Sequence, residues 1–421
     1  MNRRIAIFVA LCGLILLASN AWAGFGTIPY LYGFGARGAA LGQTYTALAD
    51  DASSAFFNPA AMATLDHSNI ALSYVYGQPE FHGGPQGNPT RFDAANNVVE
   101  LNLAQRLNTL FKSDWPVVFG LNIALDDNGL AFIRFNDEQN ANGNYYRYGP
   151  ASFTLNFSLG WKILDWFYMG AGVMTTLHSK STFFVDTDLT GKTSHQGISL
   201  DANLDMAPIV ALFFRPKPVD IGVTYHGKTY GGFDPITVNA TADVGKSPLA
   251  SLPMVLYYKD NYIPQRIALG LYWHATSWLG VTADTVWYNW GDFNKEMSKF
   301  DMPRYETGFD FHDTYVPHVG LEFLPVDGLA VRCGYGYEQT PVARGGNSEN
   351  MILDNSKHIA GVGIGYTFAK PAGLNYPLSL DGSYFMQYLV KRQEIANDAT
   401  KEKYESSGML NGLAGTLTIR Y

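Results

Sequence analysis

Polar and apolar residues alternate with a period of two in run after run of this chain, and that pattern, in an exported protein, leaves few folds open. Between Ser152 and Trp161, Phe153, Leu155, Phe157, Leu159 and Trp161 share one face, and Thr154, Asn156, Ser158 and Gly160 share the other. Between Pro116 and Leu125, Val117, Phe119, Leu121, Ile123 and Leu125 oppose Val118, Gly120, Asn122 and Ala124. The last strand repeats the plan, with Leu413, Leu417, Ile419 and Tyr421 opposite Thr416, Thr418 and Arg420. Side chains of a strand point alternately to its two faces, so each such run shows one apolar and one small or polar surface.

Export is read from the first 23 residues. Arg3 and Arg4 form a charged start, Ile5 to Ala18 an apolar stretch, and Ala21-Trp22-Ala23 a small-x-small cleavage site, the pattern of a secretory signal peptide. Cys12 lies within this leader, which leaves Cys333 as the single cysteine of the remainder, better suited to packing than to chemistry. After Ala23 no stretch approaches the roughly 20 continuous apolar residues that a spanning helix needs. A secreted β protein or an outer-membrane barrel remains. Charged residues make up only 16% of the chain, against about 25% in an ordinary soluble domain, and Gly, Tyr and Phe fill the difference. The net charge of -8 argues against a phosphate-neutralising surface, so nucleic acid is not an expected partner.

Comparable runs give about 14 strands, near 69–76, 97–107, 116–125, 151–162, 166–185, 198–214, 219–238, 254–273, 278–297, 314–324, 329–340, 357–368, 377–393 and 408–421. Links after even-numbered strands are short: Ile163-Leu164-Asp165, Arg215 to Pro218, His274 to Ser277 and Pro325 to Gly328. Links after odd-numbered strands are mostly long and polar, as in Asp126–Pro150, Phe300–Asp313 and Pro341–Ser356. Transmembrane barrels sort loop length in this way, with short periplasmic turns, and both termini then face the periplasm. The expected fold class is therefore an all-β membrane protein, an antiparallel transmembrane β-barrel. Residues 1–23 are expected to be the signal peptide, 24–66 a partly helical hatch of the right size to plug the lumen, and 67–421 the barrel.

Within the hatch, Asn58 is placed to cap a helix and Pro59 to occupy its first position. Gly24 and Phe25 begin the mature chain and either reach into a pocket or fray. Arg37, the single basic residue of 24–66, either meets a ligand carboxylate or pairs with Asp50, Asp51 or a carboxylate of the barrel wall, and the pairing is the simpler reading. Gly33-Phe34-Gly35-Ala36-Arg37-Gly38 matches G-x-G-x-x-G but follows no strand, so a dinucleotide reading fails its context. Asp186-Thr187-Asp188 starts like a calcium loop but lacks its closing Glu. No metal-ligand spacing and no nucleophile elbow is present, so neither cofactor, metal nor catalysis is expected. Trp115, Trp166, Tyr168, Trp273, Trp278 and Trp287 fall near strand ends, where an interfacial girdle belongs, the alternative being that some line a ligand path.

Gly38-Ala39-Ala40-Leu41-Gly42-Gln43, followed by the run Ala47 to Ala60 that ends Phe57-Asn58-Pro59-Ala60, resembles the N-terminal hatch of the FadL-type outer-membrane transporters, whose hallmark is Asn-Pro-Ala. Val331 to Val342 resembles the family's eleventh strand and the loop start after it, with Thr340 in place of Ser, and Trp287 to Phe293 resembles its ninth strand. The resemblance implies a 14-stranded monomeric barrel in the outer membrane of a Gram-negative cell, plugged by the hatch, with Asn58, Pro59 and Ala60 as gating elements. It also implies an external low-affinity groove and a deeper pocket against the N-terminus, where Gly24 and Phe25 would lie. The ligands implied are long-chain fatty acids or monoaromatic hydrocarbons, released sideways into membrane lipid. Tyr421 as the last residue resembles the signal by which barrel-assembly machinery recognises its clients. The rival readings are a general porin and a structural or adhesive barrel.

Overall fold

The computed structural model describes residues 32–48, 50–93, 95–108, 116–126, 153–188, 193–229, 234–244, 247–258, 262–298, 311–342, 355–369, 371, 373, 375–397 and 402–421. The expected signal peptide, Gly24 and Phe25 lie outside the described residues.

Fourteen strands form the wall: β1 (Asn69–Pro85), β3 (Asn96–Arg106), β4 (Val117–Asp126), β5 (Phe153–Leu164), β6 (Phe167–Asp188), β7 (Thr193–Phe214), β8 (Val219–His226), β11 (Arg266–Thr276), β12 (Leu279–Tyr288), β13 (Thr314–Val326), β14 (Leu329–Glu338), β15 (Lys357–Phe368), β16 (Leu378–Asn397) and β17 (Glu402–Arg420). Each pairs antiparallel with its two neighbours, and β17 pairs with β1 from Asn69↔Arg420 to Pro85↔Tyr404, which closes the barrel. Closure leaves no unpaired wall edge, the condition for a sheet to sit in lipid. Ser68 and Tyr421 finish the seam by exchanging backbone hydrogen bonds of 2.8 and 3.0 Å. Three further strands stand outside the wall: the short β2 (Thr90–Phe92), and the hairpin of β9 (Asp234–Val244) and β10 (Ser247–Tyr258). β9 lies parallel to the outer part of β6, with Ser181↔Ile236 through Asp188↔Asp243 paired.

The wall is inverted relative to a soluble protein. Leu72, Leu269, Ile364 and Leu413 point outward and are exposed, whereas Asn102, Asn122, Asn156, Thr224, Asp284 and Gln387 point inward and are buried. The outward row meets hydrocarbon, which is where its apolar area is removed from water. Trp166 and Trp273 lie on the outer surface at the short-turn ends of their strands, as a girdle requires, but Tyr168 turns into the lumen, where its ring packs edge-on to Phe213.

Three expected strands are corrected. The run 219–238 ends as a wall strand at His226, 254–273 begins only at Arg266, and the stretch between them carries the β9–β10 hairpin. Alternation is present in that hairpin, but pairing decides which sheet position a strand takes, and β9 pairs with β6 and β10. The run 278–297 ends at Tyr288, and Gly291–Ser298 is a helix, in which Asn294 exchanges two hydrogen bonds with the Phe311 backbone.

Candidate functional site

Residues 32–48 and 50–65 fill the lumen. The helix Gly35–Ala40 packs on β1 and β14 to β17, Ser54–Phe57 on β4 and β5, and Pro59–Met62 on β4 to β7. A segment that touches opposite walls of a closed barrel lies within it. Asn58 starts the last helix as its sequence position implies: Oδ1 accepts the Ala60 and Ala61 N–H groups at 3.1 and 3.3 Å, and Pro59 takes the first turn. The amide then does something no local rule gives. Nδ2 donates to Thr46 O at 2.9 Å, within the plug, and to Leu212 O at 3.3 Å, on wall strand β7. One buried side chain thus caps a helix, ties two plug segments together and anchors both to the wall.

Wall glycines make room for this contact. A Cβ at Gly160 would lie 2.3 Å from Pro59 O, one at Gly170 2.3 Å from Ala60 N, and one at Gly222 2.2 Å from Thr46 O. Across β3, β4 and β5 a ladder of paired amides, Asn102, Asn122 and Asn156, runs along the lumen face in direct register. Asn122 Nδ2 donates to Asn102 Oδ1 at 2.7 Å and to Ala52 O at 3.0 Å; Asn156 Nδ2 donates to Asn122 Oδ1 at 2.9 Å and to Ala55 O at 2.6 Å. The polar lumen face is therefore matched to plug backbone that would otherwise be buried without partners.

On the opposite side the attachment is ionic. Arg37 donates Nε and Nη2 to the two oxygens of Glu322 on β13, each at 3.2 Å, and also pairs with Asp50 and, at 3.6 Å, with Asp51. Arg332 on β14 bridges Glu322 at 2.7 Å and Asp381 on β16 at 2.6 Å. Tyr45 donates its hydroxyl to Asp51, and burial, with that carboxylate beside it, raises the phenol well above its ordinary pKa and keeps the donor proton in place. Of the two sequence readings of Arg37, the pairing with Asp50, Asp51 and a wall carboxylate is the one the geometry contains. The glycines of the Gly33–Gly38 run serve turns rather than phosphate, since Gly33 and Gly35 hold φ of +78° and +75°, which side-chain-bearing residues avoid.

Toward the outer side of the plug the lumen face changes character. Along β1 it reads Asn69, Ala71 and Ser73, then Val75 and Phe81. Val75, Val98, Ile209, Phe385, Leu389 and Leu410 form a buried apolar cluster with Tyr32, Phe34 and Phe56 of the plug. Tyr32 meets Phe385 at 5.7 Å, and Phe34 meets Phe56 edge-on at 5.1 Å. Outside it, Tyr262 stacks on Phe293 at 4.6 Å, and Phe311 packs edge-on to Phe293 and parallel to Trp290, an aromatic group at the outer ends of β11, β12 and β13. Sequence reasoning put Arg332, Asn122 and Asn156 on the lumen face without giving them a role, and did not single out Glu322, Asp381 or Asn102. Alternation places each on the lumen face, but their meeting with the plug depends on pairing between distant strands.

Residues 219–418 match the family described as outer membrane protein transport protein (OMPP1/FadL/TodX), a stretch that runs from β8 to β17 of the wall. In sequence over that stretch, and in fold, the chain resembles the FadL-type transporters. It is accordingly an outer-membrane protein of a Gram-negative cell. It is 23% identical over 424 residues to the alkane uptake protein A of Marinobacter nauticus, covering 95% of this chain and 92% of that protein. The fold is shared with a FadL homologue of Pseudomonas aeruginosa, at a TM-score of 0.58, 18% identity, and coverage of 91% of this chain and 97% of the other. It is shared as well with the Pseudomonas putida toluene transporter TodX, at 0.57, 16%, and 93% and 99%.

Proposed function

We propose that this protein is a passive channel for the uptake of hydrophobic small molecules across the outer membrane. The observation that carries the reading is the apolar cluster of Tyr32, Phe34, Val75, Val98, Phe385 and Leu410 inside a lumen whose other face is polar. A solute without hydrogen-bonding groups gains free energy there at about 25 cal/mol per Å² of apolar surface removed from water. The ligand enters from the outside, binds against the aromatic groups of the plug, and after the plug rearranges leaves sideways into membrane lipid, driven by its own partition. No group in this scheme reacts, and nothing couples transport to an energy source.

Ligand class follows from charge. Arg37 is engaged by Asp50, Asp51 and Glu322, so the reading assigns it to plug docking, and it assigns Asn58, Pro59 and Ala60 to the gate's fixed part. Uncharged chains and rings then suit the apolar cluster better than a carboxylate does, in line with the alkane uptake protein among its relatives. The test is uptake of labelled hexadecane, toluene and oleate by cells lacking their own transporter, with and without this protein at matched surface level. Gain for hexadecane or toluene above oleate supports the reading. Gain for none of the three, or a steady ionic conductance in a planar bilayer that would mark a porin, overturns it.

A further inference from the structure

The helix Gly35–Ala40 begins without a cap of its own. Its N-cap residue is Phe34, which has no side-chain acceptor to offer the first N–H groups. The wall supplies what the helix lacks. Glu100 Oε2 on β3 accepts the Gly35 N–H at 2.7 Å, and Thr416 Oγ1 on β17 accepts the Ala36 N–H at 2.8 Å. Between them on β1 stands Ser73, whose hydroxyl meets Thr416 Oγ1 at 2.9 Å. The three residues form one row: Ser73 is the register partner of Glu100 on one side and of Thr416 on the other. All of Glu100 is buried, and its Oε1 is sealed from water without a hydrogen bond.

The next row outward is apolar. Val75 pairs in register with Val98 and with Ala414, and all three belong to the cluster that holds Tyr32 and Phe34. The polar row therefore ends where the apolar cluster starts, and Phe34 to Gly35 is the point at which the plug crosses from one to the other. We infer that Glu100 and Thr416 are positioning residues for ligand binding. By holding the first two N–H groups of this helix they fix Phe34 and Tyr32 as the floor of the apolar cluster, and a ligand is held against a floor whose place the wall sets. The inference rests on the reading that the apolar cluster binds the ligand. Neither residue touches the ligand, so both act through Phe34.

The test is concentration-dependent uptake of labelled hexadecane by the full-length protein in transporter-deficient cells, with surface level and heat-modifiable gel mobility measured for every variant. Glu100→Ala removes the Gly35 acceptor and is expected to raise the half-saturating concentration about tenfold, the order of a lost cap, with the maximal rate nearly unchanged. Glu100→Gln keeps an amide oxygen for Gly35 and is expected to stay within about twofold of wild type. Thr416→Val keeps volume, removes only the acceptor for Ala36, and stands in if Glu100→Ala fails to reach the surface; a rise of about threefold is expected. Wild-type half-saturation in Glu100→Ala, or equal loss in Glu100→Gln and Glu100→Ala at equal surface level, would overturn the inference while leaving the channel standing. Absence of hexadecane uptake by the wild type would instead remove the channel reading on which the inference rests.

Discussion

Arg37 and Glu322 face each other fork to fork across the boundary between plug and wall, Nε to Oε1 and Nη2 to Oε2, each at 3.2 Å and 285 residues apart in the chain. Such planar pairs are directional as well as strong, and this one fixes the turn of the plug against β13. Glu322 is also the acceptor for Arg332 at 2.7 Å. One carboxylate thus serves two guanidinium groups, and its removal leaves Arg37 to Asp50 and Asp51 and Arg332 to Asp381.

Glu322→Gln is accordingly expected to cost about 2 kcal/mol, less than a fully stranded partner would, because it weakens two guanidinium groups at once while each keeps another carboxylate. Arg37→Ala should cost less, because Glu322 keeps Arg332. Thermal shifts in the unfolded-to-folded mobility change on gels rank the two. The order Arg37→Ala worse than Glu322→Gln would contradict this account of the cluster.

If Arg37 serves docking alone, Arg37→Ala changes the uptake of oleate and of methyl oleate by the same factor. A loss confined to oleate would return the guanidinium to a ligand carboxylate.

Asn58→Ala deletes an acceptor for two helix N–H groups and a donor to Thr46 and Leu212. With these groups left unpaired in the interior, about 2 to 4 kcal/mol of plug docking is lost. Amide hydrogen exchange at Ala60 and Ala61 should accelerate by a matching factor while wall amides of β11 to β15 stay protected. Uniform acceleration through wall and plug would show that the cap stabilises the whole barrel rather than the plug.

Gly170→Ala places a methyl group 2.3 Å from Ala60 N, against backbone that has nowhere to go, whereas a Cβ at Gly382 meets nothing within 4 Å. A cost of about 1 to 3 kcal/mol is expected for the first and close to none for the second. Equal melting of the two variants would mean that the plug stands farther from β6 than described.

The outer helix Gly291–Ser298 is clamped by Lys228 Nζ to Asp292 Oδ2 at 2.5 Å, with Lys295 on the other oxygen at 3.3 Å. The hydrogen bond from Lys228 leads the effects that hold the Asp292 carboxyl below its ordinary pKa. A depressed carboxylate contributes above its unfolded value and loses that contribution as pH falls through the folded value. The clamp is thus complete at neutral pH and begins to fail below about pH 4. Hydrogen exchange of residues 291–298 at falling pH measures it, and the Asp292→Asn variant should show no such onset.

How much of this was legible in the chain depends on the range of the interaction. The wall strands, the short periplasmic turns, the outward apolar rows and the Asn58-Pro59 helix start are local: a period of two, a turn residue and a cap act over a few positions, so the sequence shows them directly. Alternation also appears in β9 and β10, yet those strands pair outside the wall, because a pattern says which face is apolar and leaves the partner open. The plug's docking is the extreme case. Glu100, Thr416, Glu322, Arg332 and Asp381 are scattered over the wall, and each by itself reads as one more polar residue on a lumen face. The sequence alone determined that a closed, inverted barrel with a capped helical segment before it would form, since burial and hydrogen bonding along each strand demand it. Only the tertiary structure decided which wall carboxylates receive the plug, because closure of the barrel brings together groups that no local rule connects, and their strong directional bonds accept a single arrangement.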